Sequence, residues 1–200
     1  MKASRWLPAL GFAAWLALDA AAATAAPPPA NPPFATFQSF CIAHDGVEDA
    51  AAAAADAAGW MTLPDSLTPL PRTGPLSLDS KVVRMRTDAH SVMMMIAGRG
   101  AFNTPTGAIP ASICAVVVEP GASDAADQLA AWAKVPVRQM GGSDMYAFLD
   151  TAEGHIPVGS DGASIRDAAL GGRLRIVATH SDPATHMLMM MYVVAHGRPV

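Results

Sequence analysis

Three short runs of apolar residues constrain the fold most strongly, at residues 92–96, 113–118 and 186–194. None is long enough to cross a bilayer as a helix, which takes about 20 apolar residues. Runs of this length that end at turn residues are typical of strands buried on both faces. We therefore expect three central strands, each covered on both of its faces.

Alternation of apolar and charged residues predicts two further strands. Val83 and Met85 alternate with Arg84 and Arg86, and residues 173–179 repeat the pattern. Because neighbouring side chains on a strand point to opposite faces, we expect the arginines to face outward into solvent.

Three segments favour helices. The phenylalanines of residues 34–41 recur at a spacing of three to four, although the end of this segment also suits a strand. Residues 50–58 are nearly all alanine, the strongest helix former, and Asp45 with Glu48 resembles a capping box before them. Residues 124–132 form the third predicted helix.

The remaining segments indicate the fold class. Residues 62–80 are rich in proline, and residues 154–172 are rich in glycine and polar residues, so both are expected to be loops. Strands and helices alternate without the regular spacing of parallel sheets. We predict an α+β domain with a mainly antiparallel sheet and helices packed on one face.

A weak internal repeat relates residues 41–100 to residues 114–198. Each segment begins near a cysteine, continues into an Asp-Ala-Ala helix that runs up to a tryptophan, and contains a hairpin with the pattern His-x-x-Met-Met-Met. One interpretation is a duplication of a helix-plus-β-hairpin unit. The other is a chance likeness between two core hairpins that both need large apolar side chains, and the pattern leaves both open.

The first 25 residues have the order of a secretory signal peptide. A positively charged start precedes an apolar stretch and a small-residue site for cleavage after Ala25. We expect residues 26–33 to be a Pro-rich linker and residues 34–200 to be one α+β domain. This domain is then periplasmic or secreted.

The charge of the chain excludes two classes of partner. The chain has 13 basic and 17 acidic residues, and loss of the signal peptide leaves 11 and 16, a net charge of −5. Such a domain, without lysine or arginine clusters, has no electrostatic footprint for nucleic acid or anionic lipid. We expect no nucleic-acid partner, and no transmembrane segment in the mature chain.

Cys41 and Cys114 are the only cysteines in the chain. In an oxidising compartment, an even pair most simply forms one disulfide. The alternative is two buried free thiols, since unpaired cysteine is among the most buried residue types.

The methionines are the most unusual chemical feature. No catalytic, phosphate-binding or zinc motif occurs, so we predict no catalytic residue and no cofactor. Seven of the 12 methionines lie in two runs beside histidines, and soft sulfur with imidazole suits copper. The candidate metal ligands are His90, Met93, Met95, His186, Met189 and Met191. Alternation along a strand nevertheless turns neighbouring methionines to opposite faces, so core packing is the preferred interpretation.

We expect an exported, non-enzymatic domain that binds a protein or a small apolar ligand, or that interacts with the cell envelope. Soft-metal binding through the two methionine-rich hairpins is the alternative. A second alternative is an enzyme whose active site is assembled from distant residues. An open sheet face lined by methionines favours the metal, whereas a cleft with a serine or carboxylate beside a histidine favours the enzyme.

The export prediction is tested by N-terminal sequencing of the mature protein. Cleavage after the Ala-Thr-Ala site should give a chain that begins near Ala26. A cytoplasmic protein that still starts at Met1 would contradict export.

Overall fold

The computed structural model describes residues 32–64, 76–104 and 107–197. The predicted signal peptide and most of the predicted linker lie outside the described residues. The helices are α1 (Pro33–Phe37), which continues into a π-helical turn (Gln38–Ile42), α2 (Glu48–Ala57), α3 (Ser123–Ala133) and α4 (Gly162–Leu170). The strands are β1 (Met61–Thr62), β2 (Leu76–Thr87), β3 (Val92–Thr104), β4 (Gly107–Glu119), β5 (Arg138–Met140), β6 (Ser143–Thr151), β7 (Gly154–Pro157), β8 (Leu174–Asp182) and β9 (Met187–Ala195).

The nine strands within the described residues form one antiparallel sheet, in the order β1-β2-β3-β4-β9-β8-β6-β5. The short strand β7 pairs with β6 on the edge that β5 also occupies. The predicted α+β class with a mainly antiparallel sheet is confirmed. Two of the three apolar runs lie on β4 and β9, at the centre of the sheet.

One face of the sheet is covered by α1, the π-helical turn, α2 and α3, and we call it the helix-covered face. Its core joins aromatic side chains of the N-terminal segment, such as Phe37, to alternate residues of the strands, such as Met95, Val116 and Met190. These four side chains are fully buried. Phe40 packs edge-on against Trp60, with ring centroids 5.0 Å apart.

The disulfide between Cys41 and Cys114 is confirmed, with a Cα–Cα distance of 5.3 Å. It links the π-helical turn to β4, across a sequence separation of 73 residues. Loop-closure entropy for a cross-link of this length is worth about 4 kcal/mol as an upper figure. The predicted helix over residues 34–41 is also confirmed, and its last turn has π geometry.

The predicted capping box at Asp45 and Glu48 is wrong. Val47 occupies the cap position of α2, and Asp45 adopts a left-handed conformation with φ of 52°. The carboxylate of Asp45 instead accepts hydrogen bonds from Arg175, at 3.0 and 2.9 Å, and from the Tyr192 hydroxyl, at 3.1 Å. Burial and the Asp45 carboxylate together raise the pKa of Tyr192 well above its ordinary value, so its hydroxyl stays protonated and donates.

The expectation that Arg84 and Arg175 face solvent is also wrong. Both point to the helix-covered face, where their side chains are only 12% and 15% exposed. Arg84 forms a two-pronged ion pair with Asp56 at the end of α2, and this hydrogen bonding lowers the pKa of Asp56. Alternation along the strands turns these two arginines toward the helices, and aspartates of the helical layer neutralise their charge.

The segment predicted as a loop at 154–172 contains β7 and α4, so that prediction is wrong. The Asp161 carboxylate accepts a hydrogen bond from the Ser164 backbone amide and caps α4. The segment contains a short amphipathic pattern that is difficult to recognise among its glycines and polar residues. In the helix, Ala169 is buried and Ile165 is half-buried. In the other predicted loop, β2 begins at Leu76, and residues 65–75 lie outside the described residues.

The strand order is symmetrical about the boundary between β4 and β9. Counted outward from this boundary, β4, β3 and β2 occupy positions equivalent to those of β9, β8 and β6. Helices α2 and α3, which precede the two sets, pack on the same face. The methionine runs lie on β3 and β9, which are not equivalent positions in this order. The duplication therefore stays a prediction, and the matched halves in the sheet are 48–119 and 123–195.

Candidate functional site

The second face of the sheet carries most of the methionines, and we call it the methionine face. Cross-strand pairing aligns one row of residues across eight strands of this face. In order, the row is Met61, Met85, Met94, Val117, Met189, His180, Ser143 and Met140. Every one of these residues is half-buried or exposed. With Met145, Met187 and Met191, the face holds eight of the chain's 12 methionines.

Only one end of the methionine face is covered by α4. There, Ala169 of α4 belongs to a second core with Leu174, Ile176 and Ala195. At the other end, no helix of the described residues packs over β9, and the burial of this strand alternates. Met187, Met189 and Met191 are half-buried, whereas Leu188, Met190 and Tyr192 are buried on the opposite face. The expectation that both faces are fully covered is wrong for this part of the sheet.

An open cavity of about 460 Å³ lies on the uncovered part, over β5, β6, β8 and β9. We call it the methionine groove. Its thioethers come from Met140, Met145, Met189 and Met191, and its polar side chains come from Ser143 and His180. Thr179 also borders the cavity, but it pairs with Met190, so its side chain points to the helix-covered face. The lining contains no aspartate, glutamate, lysine or arginine.

The His180 imidazole is the only nitrogen-containing side chain in the lining of the groove. A hydrogen bond of 3.2 Å joins its Nδ1 to Ser143 Oγ on the neighbouring strand. Among the described residues, no hydrogen bond occupies Nε2. Ser143 therefore fixes the ring through one nitrogen and leaves the other for a ligand.

Asp182 is the carboxylate of β8 on this face, two residues beyond His180. The backbone amide of Ala184 and the hydroxyl of Thr185 donate to it and lower its pKa, and His180 contributes less. Asp182 therefore carries a negative charge at neutral pH, as an aspartate does at its ordinary pKa, and it lies next to the groove but outside its lining.

The six predicted metal ligands are not brought together. Met93 and Met95 lie in the core of the helix-covered face, at 3% and 0% exposure. His90 and His186 are exposed in the turns before β3 and β9. Only Met189 and Met191 share a cavity.

The groove adds His180, Met140 and Met145 to these two methionines. Alternation shows from sequence that Met189 and Met191 share a face, but the histidine opposite Met189 follows only from the β8–β9 register. Only four residues connect β8 to β9, and this short connection is the feature of the sequence that indicates a hairpin and hence the pairing of the two strands. In the described part of the chain, no group of three or more His, Cys, Asp or Glu side chains is placed to hold a metal ion.

Two serine–histidine pairs occur, which raises the question of hydrolytic chemistry. Besides Ser143 and His180, Ser112 Oγ lies 2.7 Å from His196 Nε2. A nucleophile of this kind needs a histidine held by a third group, and the described residues provide no carboxylate hydrogen-bonded to either imidazole. Ser112 is 4% exposed, so a substrate does not reach it in this conformation. Neither pair forms a catalytic triad.

Comparison of the chain with protein-family models, with curated proteins and with solved structures found no match. Within the described residues, no helix combines the length and apolar character that crossing a membrane requires.

Two adjacent methionines on β9 test the difference between the faces. Met190 is fully buried, so Met190→Ala should cost about 2–5 kcal/mol in the free energy of unfolding, by loss of contacts and creation of a cavity. Met189 is half-buried on the groove, so Met189→Ala should cost less than about 1 kcal/mol. Urea unfolding of the two variants measures both values, and equal large losses would contradict an open groove.

Proposed function

We propose that this chain is an exported, non-enzymatic binding module, and that the methionine groove holds a small, largely apolar ligand. The observation that carries the proposal is the cavity of about 460 Å³, formed on a sheet face that the helices leave open. Ligand sites typically have volumes of roughly 300–1,000 Å³ and apolar walls with a few polar groups. The groove has this size and this composition.

The lining indicates the chemical class of the ligand. Because no aspartate, glutamate, lysine or arginine lines the groove, a charged organic group buried there would have no side chain of opposite charge as a partner. Methionine side chains are flexible and polarisable, and they adapt to ligands of irregular shape. His180, held by Ser143, offers one hydrogen bond at one end of the groove. We infer an uncharged organic ligand with one hydrogen-bonding group.

Export is part of the proposal and has two supports. The N-terminal sequence has the charge and apolar order of a signal peptide. The Cys41–Cys114 disulfide is the kind of cross-link that persists in oxidising compartments, such as the periplasm or the extracellular space.

The binding proposal is tested with the uncharged fluorescent probe N-phenylnaphthylamine. The wild-type protein should bind one probe molecule per chain. Ala178 lines the groove, so Ala178→Phe should fill it and weaken binding by at least about tenfold, or about 1.4 kcal/mol. Fluorescence titration measures both affinities, and circular dichroism checks that the variant is folded.

A matched control uses the same change on the other side of the molecule. Ala131 is exposed on α3, over the helix-covered face, so Ala131→Phe should leave probe binding unchanged. Probe binding that Ala178→Phe does not reduce, or that Ala131→Phe reduces equally, would show that the groove is not the site.

A further inference from the structure

We propose that the methionine groove also contains a binding site for a soft monovalent metal ion, Cu(I), made by His180 Nε2 with the thioethers of Met189, Met191 and Met145. The proposal rests on the groove being open, as the proposed function does, but not on the identity of an organic ligand. Thioether sulfur and imidazole are the uncharged donors that Cu(I) accepts most readily.

Strand register places these donors around one point. Met189 on β9 is the direct cross-strand partner of His180 on β8. Such partners have Cβ atoms about 5 Å apart, which allows a thioether and an imidazole to meet at one ion. This pair is the centre of the site.

Two further thioethers lie diagonally from His180. Met191 is two residues beyond Met189 on β9, and Met145 is two residues beyond Ser143, the partner of His180 on β6. Diagonal neighbours on one face are roughly 7–8 Å apart, within reach of long side chains. All four side chains line the same cavity. The set of one nitrogen and three sulfurs suits a three- or four-coordinate ion.

Groups next to the His180 imidazole orient the ring and favour the binding of a cation. The Ser143 hydroxyl engages Nδ1 and so directs the ring, which is the role of outer hydrogen bonds around metal-bound histidines. Asp182 supplies a negative charge on the same face, two residues along β8. Because its turn already binds this carboxylate, Asp182 acts through charge and not as a ligand.

The donor set also predicts selectivity. Neutral thioethers offer little compensation for a divalent charge, and harder ions prefer oxygen or several nitrogens. Cu(I) and its redox-stable analogue Ag(I) should therefore bind, whereas Zn(II) should bind at least tenfold more weakly.

The test is titration of the mature, disulfide-bonded protein with Cu(I) under anaerobic conditions, with ascorbate as reductant and bathocuproine disulfonate as the competing chelator. The expected result is one Cu(I) per chain. The double variant Met189→Leu/Met191→Leu keeps the apolar volume but removes two sulfurs, and His180→Gln removes the imidazole. Each should weaken Cu(I) binding at least tenfold, and X-ray absorption of the wild-type complex should show both sulfur and imidazole nitrogen.

The methionine face also provides a matched control variant, which removes the same number of sulfur atoms away from His180. Met85 and Met94 lie on the methionine face but are separated from His180 by β4 and β9. Met85→Leu/Met94→Leu should leave the Cu(I) affinity unchanged. No Cu(I) bound by the wild type, or equal effects of the two double leucine variants, would overturn the metal site.

Failure of this inference is distinguishable from failure of the proposed function. The Met189→Leu/Met191→Leu variant should still bind N-phenylnaphthylamine, because leucine preserves the apolar walls of the groove. Probe binding without Cu(I) binding removes the metal site alone. Cu(I) binding that depends on His180, in a protein that binds no probe, removes the organic ligand alone.

Discussion

Neighbouring side chains on each strand point to opposite sides of the sheet, so the sheet has two faces that carry apolar side chains. The helices cover mainly one of these faces. Of the four α-helices that the structure describes, three pack, together with the π-helical turn, on the same face as Met95, Val116 and Met190. Helix α4 reaches the opposite face only over one end. The same alternation that buries Met190 therefore leaves Met189 and Met191 at the wall of an open groove. The candidate site is a direct result of this uneven covering.

Four residues of a short stretch of chain link the helical layer to the sheet. One of them is Glu48, whose carboxylate accepts a hydrogen bond of 2.7 Å from the Ser80 hydroxyl on β2. Cys41 is bonded to β4, Asp45 to Arg175 and Tyr192 on β8 and β9, and Asp56 to Arg84 on β2. These links reach the centre and both halves of the sheet. With the aromatic side chains between them, they hold the helices on the covered face. The groove thus forms on a scaffold whose other side is rigidly packed, which suits a preformed binding site.

Much of the fold could be predicted from local sequence patterns. The apolar runs identified β3, β4 and β9, and alternation identified β2 and β8, because these signals depend only on neighbouring residues. The destinations of Arg84, Arg175 and Asp45 could not be predicted, since each pairs with a residue far along the chain. Helix α4 was missed because its apolar stripe is short and lies among glycines. For the site, alternation grouped Met189 with Met191, but His180 and Met145 join them only through the pairing of three strands.

The central claim is that one face of the sheet exposes thioethers to solvent while the other buries them. Methionine oxidation by dilute hydrogen peroxide, followed residue by residue with peptide mass spectrometry, tests it most directly. Each oxidation transfers one oxygen atom to sulfur, so the rate reports access to the side chain. The structure predicts that Met140 and Met189 become sulfoxides rapidly in the folded protein, while Met95 and Met190 stay reduced until it unfolds. Protection of Met189 equal to that of Met190 would contradict the open groove.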